Sequence, residues 1–365
     1  MNQITAVIDK GNFVDVLGRA AGVAKSRDLP ICNNVFLDIK GESVTVRATD
    51  IETDMTAVVT GIKADGEAKL VLNAKTLNDM MKTLGSTPIN LTSDGSNVEI
   101  TQGQTKFKLA SQDPEDFPVA PQSESEGIVW IPTTNLMRLI RKVSYAINQL
   151  DGRYTMTGMF LKPSDGILTA VGTDGFRLSV CSVAANESVD LGYGVIVPLR
   201  VINRLPSLIG DSEEIKISIE RTRVSFSTAS ITVVSRLIEG AYPNYEGVIP
   251  DKTHRLCTIN KEDMVFALKK AMIVAPDDWG IDVEFDGEKF QIHSGSTTDR
   301  VDETINTETD MTEPFTTIFN VKQLLDLFMS VDDFKVTVQF PEPGTYGGVV
   351  VREGQHTSVL MPIRR

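Results

Sequence analysis

The chain has 365 residues, of which 41% are hydrophobic and 23% are charged, and its formal net charge is −13 at pH 7. This composition is typical of an ordered globular protein, and no long polar tract suggests disorder. No run of 18 apolar residues could span a membrane, and the N-terminus lacks the charged-then-apolar order of a signal peptide.

The apolar residues predict six amphipathic helices, two in each third of the chain. Each set follows the i, i+3, i+4, i+7 spacing that places side chains on one helix face. In chain order the sets are Phe13, Val16, Leu17 and Ala20; Leu77, Met80, Met81 and Leu84; Leu136, Leu139, Ile140 and Val143; Val201, Leu205 and Leu208; Met264, Ala267, Leu268 and Ala271; and Val321, Leu324, Leu325 and Phe328. We expect Thr133 or Thr134 to cap the third helix and Asn260 the fifth.

Strand-like runs accompany the helices and repeat with them. One run precedes the second helix of each third, at 69–72, 194–197 and 316–319. Another leads to each of the pairs Thr49-Asp50, Thr173-Asp174 and Thr298-Asp299, which are 124 and 125 residues apart. This period is too long for a solenoid and fits one domain made three times. We interpret the Thr-Asp pair as a turn device whose side chains bond nearby backbone groups.

Two stretches rich in proline and aromatic residues mark the domain boundaries. The first covers 116–121 and continues into a polar linker, and the second covers 242–252. Proline removes a backbone donor and disfavours helix before it, so sheets are expected to end there. The sequence thus predicts domains at 1–125, 126–252 and 253–365, each built from two half-units of strand, helix and several strands.

The cysteines predict the redox environment of the protein. Cys32, Cys181 and Cys257 lie one in each third, in or beside apolar segments. At such distances in sequence we interpret them as buried, reduced thiols rather than as disulfide partners or metal ligands. Reduced thiols favour a cytoplasmic location.

The predicted helices carry an excess of positive charge although the chain is acidic. They contain 13 Lys and Arg residues against 5 Asp and Glu residues. The net charge taken alone argues against nucleic acid as a partner, because DNA-binding surfaces are basic. If the helices share one face of an assembly, that face is positive and the rest of the surface is acidic. The alternative is that these charges simply occupy the solvent side of amphipathic helices.

No catalytic motif is present in the sequence. It contains no P-loop, dinucleotide-binding glycine motif, His-Glu-x-x-His, Cys-x-x-Cys or nucleophile elbow. Asp50, Glu52 and Asp54 alternate along a probable strand and could bind a divalent cation, as in a metal-assisted hydrolase. That enzyme would lose turnover on Asp50→Asn. A solvated face or turn is the simpler interpretation, and we predict a protein without catalytic residues, metal or cofactor.

Four segments resemble the bacterial sliding clamp family, the β subunits of DNA polymerase III. The resemblance covers the length, triplication and motif order of the whole chain. The segments are 153–160 with 173–180, 240–245 with 248–250, 359–365, and 29–31. The resemblance implies an α+β DNA clamp fold with three similar domains. Two such chains would form a head-to-tail homodimer, a ring with helices lining the hole and antiparallel sheets outside.

The function implied by this resemblance is that of a non-catalytic processivity factor that encircles double-stranded DNA and tethers the replicative polymerase. The implied partners are duplex DNA without sequence specificity, a second copy of the chain, the DNA polymerase III catalytic subunit, a clamp-loading ATPase, and repair polymerases or other proteins with a short clamp-binding peptide. No membrane partner is implied. Lys and Arg contacts to phosphate would permit sliding. A housekeeping clamp and a specialised paralogue remain alternatives.

The resemblance also places three sets of residues. The partner peptide would enter an apolar slot between the second and third domains, made by Met156, Thr173, Gly175, Phe176, Arg177, Leu178, Pro243, Val248, Val359, Met361, Pro362 and Ile363. The DNA path would use Lys25, Arg27, Arg138, Arg141, Lys142, Tyr154, Arg200, Lys269 and Lys270. The dimer contact would join Phe107 and Leu109 to Ile273 and Val274, with Lys106 or Lys108 opposite Asp302 or Glu303.

Two positions depart from the family pattern. Phe176 stands where the family commonly has histidine, and Gly247 stands where some members carry arginine. Both changes remove polar character, so we expect the slot to prefer a more apolar peptide.

Overall fold

The computed structural model describes residues 4–119, 125–149, 151–185, 190–250, 255–286, 289–309, 311, 313–342 and 347–364. The chain divides into two compact units. Unit 1 is Met1–Thr133 with Asn203–Leu237, and unit 2 is Thr134–Ile202 with Ile238–Arg365. The predicted central domain therefore contributes to both units. The predicted domain boundaries stay a prediction, and the one at 252/253 lies outside the described residues.

Six α-helices are present in the described part of the chain, and they match the six predicted apolar stripes. They are α1 (Lys10–Val23), α2 (Ala74–Thr83), α3 (Thr133–Val143), α4 (Leu199–Ile209), α5 (Lys261–Ile273) and α6 (Val321–Ser330). Each forms because one stripe of its surface can be buried against a sheet. No helix among these residues is long and apolar enough to cross a membrane.

The strands of the described residues form three antiparallel sheets. In chain order they are β1 (Ile4–Ile8), β2 (Asn34–Lys40), β3 (Ser43–Thr49), β4 (Thr53–Thr60), β5 (Lys63–Asp65), β6 (Glu67–Asn73), β7 (Ile89–Ser93), β8 (Asn97–Gln102), β9 (Thr105–Ala110), β10 (Gly127–Pro132), β11 (Gly158–Ser164), β12 (Ile167–Thr173), β13 (Arg177–Ala184), β14 (Val195–Pro198), β15 (Glu214–Ile219), β16 (Arg223–Ser227), β17 (Ile231–Arg236), β18 (Arg255–Asn260), β19 (Gly280–Phe285), β20 (Lys289–Gly295), β21 (Arg300–Thr309), β22 (Phe315–Asn320), β23 (Lys335–Phe340), β24 (Val349–Glu353) and β25 (His356–Leu360).

Each sheet lies within one of the two units. Unit 1 holds a five-stranded sheet, β5-β1-β7-β8-β9, and an eight-stranded sheet, β10-β15-β16-β17-β4-β3-β2-β6. Unit 2 holds one twelve-stranded sheet, β14-β11-β12-β13-β25-β24-β23-β18-β21-β20-β19-β22. The pairing of β13 with β25 joins segments that are far apart in sequence, and both segments belong to the predicted peptide slot.

The helix caps confirm one prediction and correct another. The Asn260 side chain accepts hydrogen bonds from the backbone N–H groups of Glu262 and Asp263, as predicted for α5. The prediction for α3 is wrong for both candidates, because Thr133 and Thr134 are already the first two residues of the helix. The Thr133 hydroxyl is buried and has no hydrogen-bond partner among the described residues.

The cysteines lie inside the fold as reduced thiols. All three are free and buried. Burial raises the pKa of Cys32, and the carboxylates of Asp50 and Asp54 add to this effect. Burial also raises the pKa of Cys181. The prediction of buried, unpaired thiols is therefore confirmed.

The Thr-Asp repeat is real in the first two copies but was misaligned in the third. Asp50 accepts hydrogen bonds from the N–H groups two and three residues ahead, and so does Asp174. In the third copy Ser296 has this role for Thr298 and Asp299. The turn there starts at Gly295-Ser296, so Thr298-Asp299 is not the equivalent pair. A hydroxyl replaces the carboxylate because either oxygen can satisfy two backbone donors.

Candidate functional site

The floor of the predicted peptide slot is formed by two strands of unit 2. Leu178 on β13 lies directly opposite Val359 on β25 in the antiparallel register. Both side chains are buried and share an apolar cluster with Val171 and Val350. Tyr242 packs on the same cluster, and burial raises the pKa of its hydroxyl well above the usual value. The floor is therefore apolar and tightly packed.

One wall of the slot is made by the C-terminal segment. The Met361 N–H donates to the Phe176 carbonyl at 2.8 Å, and the Ile363 N–H donates to the Ile318 carbonyl at 2.7 Å. The first bond continues the pairing of β25 with β13, and the second joins the tail to β22. Together they fix the tail against the rest of unit 2. Phe176, which precedes β13, is 61% exposed. Val248 is 60% exposed, and its neighbour Ile249 packs against the cluster of Leu178 and Val359. Two large apolar side chains are therefore uncovered in segments that adjoin this cluster. Apolar groups in such a position favour a ligand that removes them from water.

Arg177 is immobilised at the edge of the slot. Its guanidinium donates to Asp174 at 2.9 Å and to Asp326 on α6 at 2.7 Å. The same group lies over the Tyr145 ring, 5.4 Å from the centroid. Paired with two carboxylates, it positions the turn between β12 and β13 rather than offering a free charge.

Gly175 lies in this turn, and the Arg153 side chain packs against it. Gly175 has φ +88°, in the left-handed region that favours glycine, and its N–H donates to the Thr173 hydroxyl at 3.1 Å. A Cβ at this position would collide with the Arg153 guanidinium and lie 3.7 Å from Met156. Arg153 was missing from the predicted site residues, although it begins one of the four segments that carry the resemblance. It packs on the slot because glycine leaves the space.

All twelve predicted slot residues lie in unit 2. Four of them are buried, namely Met156, Thr173, Leu178 and Val359. Pro243 is exposed, while Pro362 and Ile363 are half-buried. The contacts above bring the segments 173–178 and 359–363 together, and their assignment as a peptide site stays a prediction.

The predicted DNA-contact residues fall into three groups by exposure. Lys25, Arg27, Arg141, Tyr154, Arg200, Lys269 and Lys270 are exposed. Arg138 is half-buried, and its Nε atom has no hydrogen-bond partner among the described residues. Lys142 is fully buried and bonds to Glu353 and Asp332. Lys142 therefore cannot reach a phosphate, and its assignment to the DNA path was wrong.

The predicted dimer residues lie on incompletely paired strands and an exposed helix end. Phe107 and Leu109 are half-buried on β9, the last strand of the five-stranded sheet. Ile273, the last residue of α5, is 83% exposed. The acidic groups proposed for this contact already have partners in their own chain. Glu303 bonds to Lys270 at 2.9 Å and Asp302 bonds to Arg300 at 2.7 Å.

Two carboxylates of the cluster considered as a metal site, Asp50 and Asp54, have hydrogen-bond or ion-pair partners in the protein. Asp50 accepts two backbone N–H bonds and lies 3.3 Å from Arg204. Asp54 lies 3.3 Å from Arg223. No cluster of three metal-ligating side chains occurs in the ranges that the structure describes. The carboxylates are therefore used for turn formation and ion pairs.

Comparison with known proteins supports the resemblance. Sequence models of the N-terminal and central domains of the DNA polymerase III beta subunit match residues 4–121 and 130–244. A beta sliding clamp of Pseudomonas putida is 28% identical over 291 residues, covering 79% of this chain and 78% of the relative. A beta sliding clamp of Caulobacter vibrioides is 27% identical over 379 residues, covering 98% and 99%. A sliding clamp structure from Pseudomonas aeruginosa bound to griselimycin superposes with a TM-score of 0.94 at 25% identity, over 100% of both chains.

The fold and these relatives define the class as that of DNA sliding clamps, the non-catalytic processivity factors of DNA replication. More particularly, the chain belongs to the DNA polymerase III beta subunit family. Its function is that of a DNA sliding clamp, and clamps of this family act with DNA and a polymerase. The predicted fold class is confirmed as well.

Proposed function

We propose that this clamp is a homodimeric ring around duplex DNA and that it holds its partners through a short peptide seated in the slot of unit 2. The observation that supports this proposal is the exposure of two apolar side chains, Phe176 and Val248, in segments that adjoin the buried cluster of Leu178 and Val359. The partners are the DNA polymerase III catalytic subunit, a clamp loader, and repair polymerases with the same kind of peptide. The compartment is the cytoplasm, where such partners act on DNA.

The chemistry of the slot selects an apolar peptide. A leucine or phenylalanine side chain would cover Phe176 and Val248 and rest on the apolar floor. Methionine at 361 has a flexible side chain that can adapt to more than one ligand. Phe176 occupies the position where the family commonly has histidine, so an aromatic or aliphatic residue is favoured there over a polar one.

Binding of a fluorescent peptide tests the slot directly. The peptide begins with glutamine and ends in leucine-phenylalanine, and its anisotropy is measured against the protein. We expect saturable binding that is lost in a Met361→Ala, Pro362→Ala variant. Ile167→Ala is the matched control, because Ile167 is also exposed but lies at the start of β12, away from the slot residues. Equal binding by the slot variant would refute the assignment.

The preference of the slot is tested by one substitution. In Phe176→His the rim regains the residue that the family commonly carries. We expect the affinity for a peptide with a polar residue at the contacting position to rise and that for the all-apolar peptide to fall. Unchanged relative affinities would show that Phe176 does not contact the peptide.

The proposed DNA path uses the exposed cations and not Lys142. Contacts from Arg141, Arg200 and Lys269 to phosphate would be individually weak and independent of base sequence. Each lost phosphate contact is expected to lower the salt dependence of DNA binding by about one unit of slope. The measurement is retention on nicked circular DNA against salt, with release after linearisation as the sign of encirclement. Retention on linear DNA would contradict a sliding ring.

Dimerisation is proposed to pair β9 of one copy with β21 of the other. Residues 300–306 of β21 pair with β20, whereas the β18 pairing covers only 307–309, among the described residues. Pairing between copies would cover these unused edges. A Leu109→Asp variant is expected to sediment as a monomer. Val58→Asp, at an exposed strand position outside the proposed contact, is expected to stay dimeric. A dimeric Leu109→Asp protein would place the contact elsewhere.

A further inference from the structure

A buried lysine lies behind the slot in unit 2. The side chain of Lys142, at the end of α3, is 0% exposed. Its ammonium bonds to the Glu353 carboxylate at the end of β24 and lies 3.0 Å from Asp332, which follows α6. A buried ammonium is stable only when its charge is compensated in this way. The lysine thus ties α3 to two later segments of the chain.

Glu353 extends this tie into the backbone. Its second oxygen accepts hydrogen bonds from the N–H groups of Asp332 at 2.6 Å and Asp333 at 2.8 Å. Burial raises the pKa of Glu353, but the bonds from Lys142 and from these N–H groups outweigh burial and hold it below the usual value. Arg141 binds the Asp332 carboxylate with both of its terminal nitrogens. The turn after α6 is therefore held by three charged side chains.

The same tie reaches the two strands that form the slot floor. The Ser179 hydroxyl on β13 donates to the Lys142 carbonyl at 2.7 Å and lies 3.0 Å from His356 Nε2. The Ser358 hydroxyl on β25 lies 3.0 Å from the same His356 nitrogen and 2.9 Å from the Tyr145 hydroxyl. Tyr145 in turn carries the guanidinium of Arg177 over its ring. The Lys142–Ser179, Tyr145–Ser358 and Tyr145–Arg177 contacts join α3 or the turn after it to β13 or β25. The two contacts of His356 connect β25 to β13 and to its own Ser358.

Strand alternation places this network on the reverse side of the slot. Ser179 and Ser358 are opposite each other in register, as are their neighbours Leu178 and Val359. Successive side chains of a strand point to opposite faces. Leu178 and Val359 face the slot, so the two serines face the buried network behind it.

We propose that Lys142, through its pair with Glu353, is a positioning residue that holds β13 and β25 in the register and spacing that the peptide slot requires. This inference rests on the proposed peptide site and assigns to Lys142 a role other than DNA contact. The ligand remains the apolar peptide, which Lys142 never touches.

The perturbation is Lys142→Met, which keeps the length of the side chain and removes the charge. It leaves the Glu353 carboxylate buried without its cation, and we expect peptide affinity to fall at least tenfold at pH 7.5. Adding Glu353→Gln removes the unpaired charge, and we expect it to restore affinity to within about threefold of wild type. Lys335→Met is the matched control, because Lys335 also pairs with a glutamate, Glu308, but is exposed and lies in none of the proposed sites.

A pH profile separates positioning from a general loss of packing. In Lys142→Met, either Glu353 or His356, which lie 3.8 Å apart, can take up a proton and remove the unpaired charge. Arg138, Arg141 and Asp332 are the other charged groups facing this pair, and the Cys181 thiol lies beside it. Peptide affinity of the variant is therefore expected to rise between pH 7.5 and 5.5, while that of the wild type does not.

A second readout does not depend on the peptide. Cys181 on β13 lies opposite His356 on β25 and is fully buried. If the two strands loosen, alkylation of Cys181, followed by mass spectrometry, should accelerate in Lys142→Met while Cys257 keeps its wild-type rate. Peptide binding and Cys181 labelling both equal to wild type in the folded variant would overturn the inference. No peptide binding by the wild-type protein would overturn the slot itself, and the positioning role with it.

Discussion

The buried imidazole of His356 should make the clamp sensitive to acid. Burial lowers the pKa of His356 to about 4, and the nearby Lys142 ammonium contributes to the shift. The unfolded chain binds the proton with the ordinary pKa of about 6.5. Unfolding therefore takes up a proton between these values, so stability is lost as pH falls from 6.5 toward 4. At pH 5 the loss from this one group amounts to about 2 kcal/mol, rising to about 3 kcal/mol below pH 4.

The comparison that tests this reasoning is between wild type and His356→Gln, a side chain that does not titrate. Urea unfolding is measured at pH 8 and at pH 5, and the fall in free energy of unfolding should be smaller in the variant by about 2 kcal/mol. The chain contains three histidines, so His356 can also be identified by NMR from the signal missing in the variant. A ring that titrates near 6.5 in the folded protein, or an unchanged pH dependence in His356→Gln, would refute the argument.

Three further predictions follow from local geometry. Gly175→Ala should lower the free energy of unfolding by about 1–2 kcal/mol, because alanine is strained at this positive φ. It should also weaken peptide binding, because the added Cβ displaces Arg153. Calorimetry measures the first effect and anisotropy the second. Asp50→Ala should lower the free energy of unfolding by about 1–2 kcal/mol, because two hydrogen bonds to backbone N–H groups are lost. Asp299→Ala should be nearly neutral, because Ser296 accepts the equivalent bonds in the third repeat. Equal effects of the two substitutions would show that Thr298-Asp299 is the equivalent pair after all. Burial raises the pKa of Cys32, so its alkylation rate should follow the unfolded fraction in urea; rapid labelling of folded protein would contradict this.

The sequence alone determined the six helices and predicted the segments of the slot. Apolar spacing is a local property, so all six stripes, from Phe13 on α1 to Phe328 on α6, were recognisable without tertiary information. The segments of the predicted slot were identified because their motifs and order resemble a family, and their role in peptide binding stays a prediction. The Asn260 cap was predictable for a related reason, since the cap and the N–H groups that it satisfies are neighbours in sequence.

Only the tertiary structure decided which charged side chains are buried or paired and how the third repeat aligns with the first two. In the sequence Lys142 cannot be told from any other helix lysine, because Glu353, the carboxylate that pairs with it, is 211 residues away. Arg153 was missed because its position beside the predicted slot depends on Gly175, a residue of another loop that leaves space for the guanidinium. The Thr298-Asp299 pair failed as a repeat marker because backbone bonds to Ser296, and not residue identity, define the turn. Local patterns predict elements, whereas the burial and pairing of charges depend on contacts between residues distant in sequence.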